Sequence, residues 1–493
     1  MKSKSQLIES DFTKSYNTIS LDNKDNWTNI NLDYEDNSKR NVISDSLILN
    51  SHKHKSYGII SGFGDKENVF VEVGYNHIIN DSVVDGIIQK VNASNNFSIN
   101  TQLINNANTK LSIFGNYRIL NRTNEIKKKK FLNSRINYFK KSSNDLIKIN
   151  VLYETNSGNL AQQEYTFVEV DPGVGNYKWI DINENNIQEL EEFEIAQFED
   201  EGIYLRVLLP NQKFIRTYQN KFSQSLNINF KKWAKDELKF KKILSHFQNQ
   251  TQYLIQKQST QENNQFDLNP FRISSKNLLG LTMNLRNSLF FNRGKQYYST
   301  TYNFINNRSK NSLSFGNIEN DLLSHQLTFK HKLNSILFSS TASFENKKSK
   351  SENFESKNYT FNEVKYGPKF TYFIENNNKI DIYYQYLNKE NIIGNLETLT
   401  QNKFGISSAF SNKNKLAING ELNYYKNKFK GNPNSIIGYI MMEGLQSGNN
   451  LTWMLNIQKK VTKNVDLNLN YFARKSDNNS VIHNGSVQLK ANF

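Results

Sequence analysis

The 493-residue sequence contains no cysteine, which removes disulfide frameworks, thiolate metal sites and cysteine nucleophiles together. No run approaches the ~18–20 apolar residues of a membrane-spanning helix. Hydrophobic residues make up only 37% and mean hydropathy is −0.69, which argues against an ordinary globular core. Met1 to Asn17 lacks the apolar centre of a secretory signal. The seven histidines never form HExxH, and there is no GxSxG and no P-loop, so an enzyme is not expected. Helix-turn-helix, zinc-finger and RNP-type motifs are missing too. The net charge of +16 therefore does not imply a nucleic-acid partner.

Aromatic residues, in contrast, reach 13%, with 25 Tyr and 33 Phe. Disordered chains are polar but poor in aromatics. Half-apolar strands with aromatic ends give this mixture, because a membrane barrel turns one face to lipid and the other to water.

The apolar residues recur at a period of two, which places alternate side chains on opposite faces of a strand. Val69, Val71 and Val73 alternate, as do Phe97, Ile99 and Leu103, and Leu111, Ile113 and Tyr117. The pattern continues through Phe404, Ile406 and Phe410, then Leu416, Ile418, Leu422 and Tyr424, and Leu451, Trp453, Leu455 and Ile457. Asn-rich turns such as Asn105 to Asn108 separate the segments. Segments of roughly 9–15 residues exceed the usual soluble strand and match spanning ones. The expected fold is all-β, a large antiparallel transmembrane barrel of roughly 16–20 strands. A large soluble sandwich or solenoid is the competing reading.

The last segment sets the architecture. From Val481 the odd positions read Val, His, Gly, Val, Leu, Ala and finally Phe493, and the even positions are polar after Ile482. This resembles the closing strand of Gram-negative outer-membrane barrels. The resemblance implies outer-membrane lipid and lipopolysaccharide as surroundings, and recognition of the strand to Phe493 by the barrel-assembly machinery.

Residues 1–55 read as a polar segment or linker, and 56–493 as the barrel. Residues 157–211 read as an acidic insert where the alternation breaks. Between Ala161 and Ile203 there are twelve Asp or Glu against Lys178 alone, a net of −11 that leaves +27 on the rest. Within the insert, Asp181 to Glu192 has the spacing of a twelve-residue calcium loop. Oxygen side chains fall at positions 1, 3 and 5 (Asp181, Asn183, Asn185). Ile187 offers a carbonyl at 7, Glu189 a ligand at 9 and Glu192 a bidentate carboxylate at 12. Asn186 stands where glycine is usual, and Asn is the next best residue for a left-handed backbone. A plain acidic, solvated loop is the alternative. A second alternative has the acidic insert docking on a basic rim or lumen of the barrel.

Several runs carry a further resemblance: Phe167 to Asn185, Glu192 to Ala196, Tyr204 to Val207, Gln102 to Asn106 and Glu443 to Trp453. They are similar to a family of large, uncharacterised outer-membrane proteins of Bacteroidota, across roughly Val69 to Phe493. Members are longer and carry a signal peptide, so the chain is read as the C-terminal piece of such a protein. The resemblance implies an outer-membrane location and supplies no catalytic residues. The functional expectation is transport, export or envelope assembly by binding and passage, with an envelope protein as a partner. The alternative is a calcium-dependent surface receptor or adhesin anchored by its barrel.

Overall fold

Strands organise almost the whole chain, and consecutive ones pair antiparallel. The structure, a computed structural model, describes all residues but 1, 5–7, 143–144, 163, 210–212, 262–264, 274–276, 296, 314–315, 353, 376–377, 413–414, 463, 478 and 492–493. The expected closing residue, Phe493, thus lies outside the described residues. The fold class is the expected one, all-β and antiparallel. Among the described residues, twenty-two strands are joined in up-and-down ladders and four form a small separate sheet, more than the 16–20 expected.

The chain divides into two units. The first comprises residues 1–160, 214–227 and 253–280. Its strands are β1 (Lys2–Lys4), β2 (Ile8–Asn23), β3 (Asn26–Asn41), β4 (His52–Gly64), β5 (Phe70–Val84), β6 (Ile87–Asn105), β7 (Thr109–Arg122), β8 (Lys129–Lys141) and β9 (Ile147–Gln162). Segment 1–55, read as a polar segment or linker, supplies the β2–β3 hairpin. The period of two is diluted there by Ser, Thr, Asn and Asp, so backbone pairing defines these strands more than side-chain burial does. Between β5 and β6, Asp85 and Gly86 both have positive φ (52° and 79°), the two-residue turn whose twist matches a hairpin.

Apolar side chains line up across this unit. Ile30 faces Ile59, Ile59 faces Tyr75, Tyr75 faces Phe97 and Phe97 faces Tyr117, a row crossing β3 to β7. Such cross-strand pairs are the unit of sheet stabilisation. Yet Ile59, Tyr75 and Phe97 are exposed. On the other face Trp27 is buried, donates through Nε1 to Glu72 Oε2 at 3.0 Å, and lies over Gly62, where any Cβ would overlap the indole.

The second unit comprises residues 161–213, 228–252 and 281–493. Its small sheet is β10 (Tyr165–Glu169), β11 (Tyr177–Trp179), β12 (Phe193–Ile195) and β13 (Tyr204–Leu208), in the order β10-β13-β11-β12. Phe167 stacks on Phe193 at 4.1 Å, and buried Tyr204 meets Phe193 edge-on at 5.0 Å. This aromatic core makes the acidic segment a folded element. The chain then runs through β14 (Lys213–Asn229) and β15 (Phe247–Thr260), most of whose residues belong to the first unit, with α1 (Lys239–Leu244) between them, and on through β16 (Leu278–Phe291), β17 (Tyr298–Leu313), β18 (Gly316–Leu333), β19 (Ile336–Ser351) and β20 (Tyr359–Glu375). It closes with β21 (Asn378–Asn391), β22 (Thr398–Asn412), β23 (Leu416–Lys430), α2 (Ile436–Met442), β24 (Gly448–Lys460), β25 (Val465–Ser476) and β26 (Ile482–Ala491).

Here the apolar row is longer. Phe338, Phe370, Ile382, Ile406, Leu422, Trp453 and Ala473 stand opposite one another in turn from β19 to β25. Phe370, Ile382 and Ile406 are each more than half exposed. The opposite face is polar and largely buried: Asp381 is 3% exposed, Thr371 donates to its Oδ1, Ser407 donates to its Oδ2 and Lys369 pairs with it at 2.9 Å. Apolar-out and polar-in is the reverse of a soluble core and is the pattern of a membrane barrel. An apolar cluster on the polar face lies under α2, where Met441, Met442 and Ile437 pack on Phe361, Leu387 and Leu399.

Candidate binding site

The predicted calcium loop holds itself together. Asp181 accepts from the backbone N–H of Asn185 (3.2 Å) and of Asn186 (2.9 Å), so the aspartate folds the chain into a turn. Asn183 accepts from Asn185 N at 3.1 Å, and its amide donates to Glu189 Oε2 at 2.9 Å. Asn185 accepts from Ile187 N at 2.6 Å. Asn186 has φ 58°, the left-handed conformation that position 6 demands.

Glu192 does something the spacing did not indicate. It is fully buried and accepts from Trp179 Nε1 (2.7 Å), Ile182 N (3.0 Å) and Glu189 N (3.3 Å). A buried carboxylate with three donors is satisfied electrostatically. The structure therefore brings Asp181, Asn183, Asn185 and Glu189 together in one turn system and aims Glu192 at the tryptophan. Among the described residues no group of three or more His, Cys, Asp or Glu is placed to hold a metal ion.

The larger feature is the seat of the insert. Phe472, Arg474 and Ser476 share the polar face of β25, opposite Tyr471 and Ala473. Arg474 Nη2 reaches Asp200 Oδ2 at 2.7 Å and Glu201 Oε1 at 3.1 Å, while its guanidinium covers the Phe198 ring at 4.1 Å. Phe198 stacks on Phe472 with centroids 5.6 Å apart. Tyr439 of α2 donates to Glu201 Oε2 at 2.6 Å and accepts from Gln197 N at 2.9 Å. Burial, together with its bond to Glu201, pushes the Tyr439 phenol well above its ordinary value. On the far side Lys357 pairs with Glu194 at 2.7 Å and donates to the Phe193 carbonyl at 2.9 Å. The acidic insert is thus fastened by an arginine on the polar face of β25, a lysine in the turn between β19 and β20 and a tyrosine on α2.

Sequence reasoning missed these three residues. A signal for α2 was present: Ser435 accepts from Gly438 N at 3.0 Å as an N-cap, and Glu443 (φ 55°) followed by Gly444 ends the helix. No local signal marks Arg474, whose partners lie 274 and 273 residues away.

No family model matches the chain, and no curated protein does. Among solved structures, the siderophore receptor PirA from Pseudomonas aeruginosa matches at 9% identity and TM-score 0.39, over 90% of this chain and 70% of that one. BauA, the ferric preacinetobactin receptor from Acinetobacter baumannii, matches at 10% and 0.37, over 99% and 76%. The outer membrane transporter YddB from Escherichia coli matches at 8% and 0.36, over 98% and 74%. At this level of likeness nothing about ligand or activity transfers from them.

Proposed function

We propose that the chain is an outer-membrane β-barrel that works in transport, export or envelope assembly by binding and passage, with the acidic insert seated on its polar inner face as a plug. The observation that carries this is the inverted distribution of side chains in both units. A soluble protein rarely leaves contiguous apolar surface beyond a few hundred Å², whereas here Ile30, Ile59, Tyr75 and Phe97 are exposed side by side on β3 to β6, and Phe370, Ile382, Ile406 and Leu422 on β20 to β23. In lipid every backbone group must be paired within the protein, which closed barrels achieve. The proposed partners follow from that location: lipid at the apolar band, lipopolysaccharide phosphates at the basic hairpin tips, the barrel-assembly machinery at β26 and Phe493, and an envelope protein. The test is gel mobility in SDS with and without boiling after refolding in detergent. A heat-modifiable band is expected; a chain that is soluble and monodisperse without detergent contradicts the reading.

A second reading has one observation in its favour. Asn186 already holds the left-handed conformation of a calcium loop, with Asp181 folding the turn. In it the insert is a calcium-dependent receptor or adhesin surface and the barrel an anchor. Chelation that exposes the loop near Asp181 to protease, reversed by added calcium, supports this reading, and indifference to chelation removes it.

A further inference from the structure

A cavity of about 640 Å³ opens beside the seat of the insert. Three pieces of chain wall it: Lys178, Trp179 and Glu201 of the insert, the segment around α2 with Tyr439 and Gln446, and the end of β25 with Arg474 together with Asn479 of the following turn. Its volume lies in the range of small-molecule sites. We infer that this cavity binds a neutral, hydroxyl-rich small molecule of saccharide type. The inference goes beyond the transport reading and does not depend on it.

The charges at the cavity cancel internally. Lys178 pairs with Glu201 at 3.3 Å, and Arg474 with Asp200 and Glu201. An ionic ligand would have to break these partly buried pairs and leave a charge uncompensated, which is costly. The groups still available are of another kind. Among the described residues no side-chain hydrogen bond engages the amides of Asn434, Gln446 and Asn479 or the hydroxyls of Ser447 and Ser480, all of which line the cavity. Each amide offers both donors and an acceptor, and each hydroxyl offers either. That complement suits a ligand carrying many hydroxyls.

The aromatic walls complete the chemistry. Half-buried Trp179 lines the cavity with its N–H already committed to Glu192, so what remains to it there is apolar contact through the indole. Tyr439 has its hydroxyl committed to Glu201 and its ring beneath Lys178 at 4.9 Å. Aromatic faces bordered by amides and hydroxyls accommodate the C–H face and the hydroxyl rim of a sugar ring together. A purely apolar ligand would leave the polar rim unpaired.

The test is calorimetric titration of the full chain, refolded in detergent, with glucose, maltose and raffinose, and with citrate as an ionic control. Saturable binding of at least one saccharide up to roughly 10 mM is expected, with none of citrate. The Gln446→Ala/Asn434→Ala double variant, at exposed positions that carry no fold contact through those amides, should weaken it about tenfold or more. Failure of all three saccharides, binding of citrate in their place, or saccharide binding unchanged in the double variant overturns the inference. A barrel that proves heat-modifiable yet binds no saccharide refutes this inference alone.

Discussion

Arg474 on β25 donates to Glu201 Oε1 at 3.1 Å across 273 residues of chain, and this pair fastens the insert to the polar strand face. Both side chains are mostly buried, so the pair is sheltered from solvent. Breaking such a pair from one side strands the other charge, at a cost on the order of 3 kcal/mol. Arg474→Ala is therefore expected to release the insert, seen as new protease cleavage between 161 and 203. Salt should mimic the substitution in part, since screening shortens to ~3 Å at 1 M. A variant as resistant as the wild type would show that the pair does not hold the insert.

Tyr439 supplies the second fastening. Tyr439→Phe removes the donor to Glu201 and the acceptor for Gln197 N, and should loosen the insert by about 1 kcal/mol. The pH dependence has a definite sign. The folded phenol titrates above its unfolded value of about 10, so its contribution is complete below that value and is lost as pH rises through the folded one. The Tyr439 contribution should thus be flat from about pH 7 to 9 and fall only in stronger alkali. Chemical-shift or cleavage profiles that change at neutral pH in the wild type but not in Tyr439→Phe would contradict this.

Glu192 separates a structural carboxylate from a calcium ligand. Glu192→Gln keeps one acceptor oxygen and sets an amide NH2 against either Ile182 N or the pair Trp179 Nε1 and Glu189 N, and should destabilise the insert by roughly 2–3 kcal/mol. The loss should be the same in EDTA as in calcium, measured as the temperature at which the insert becomes protease-sensitive. If the difference between variant and wild type disappears in EDTA, the carboxylate serves the ion.

The alternation that defines the large strands was legible because it is local. Phe404, Ile406 and Leu422 announce their face by parity alone, and Ile406 does stand opposite Leu422. Strand β2 escaped notice because Tyr16, Ile19 and Leu21 break parity among polar neighbours, and its pairing to β3 is a property of the backbone. The acidic composition of the insert was plain, but its core of Phe167, Phe193 and Tyr204 comes from a strand order that no sequence period encodes. The loop spacing located Asp181 to Glu192, yet only the fold engages the Glu192 carboxylate with Trp179 and with the loop's own Ile182 and Glu189 N–H groups. The seat itself depends on residues hundreds of positions apart, which no local pattern can report.

The central claim is that the apolar rows face lipid. The absence of cysteine permits a direct measurement, because single cysteines can be introduced and spin-labelled one at a time. Labels at Ile382, Ile406 and Leu422, in protein reconstituted in bilayers, should be relaxed by oxygen, which concentrates in the hydrocarbon, more than by a water-soluble nickel complex. A label at Ser407, one residue along β22, should show the reverse. Preference for the nickel complex at all four sites would contradict the account.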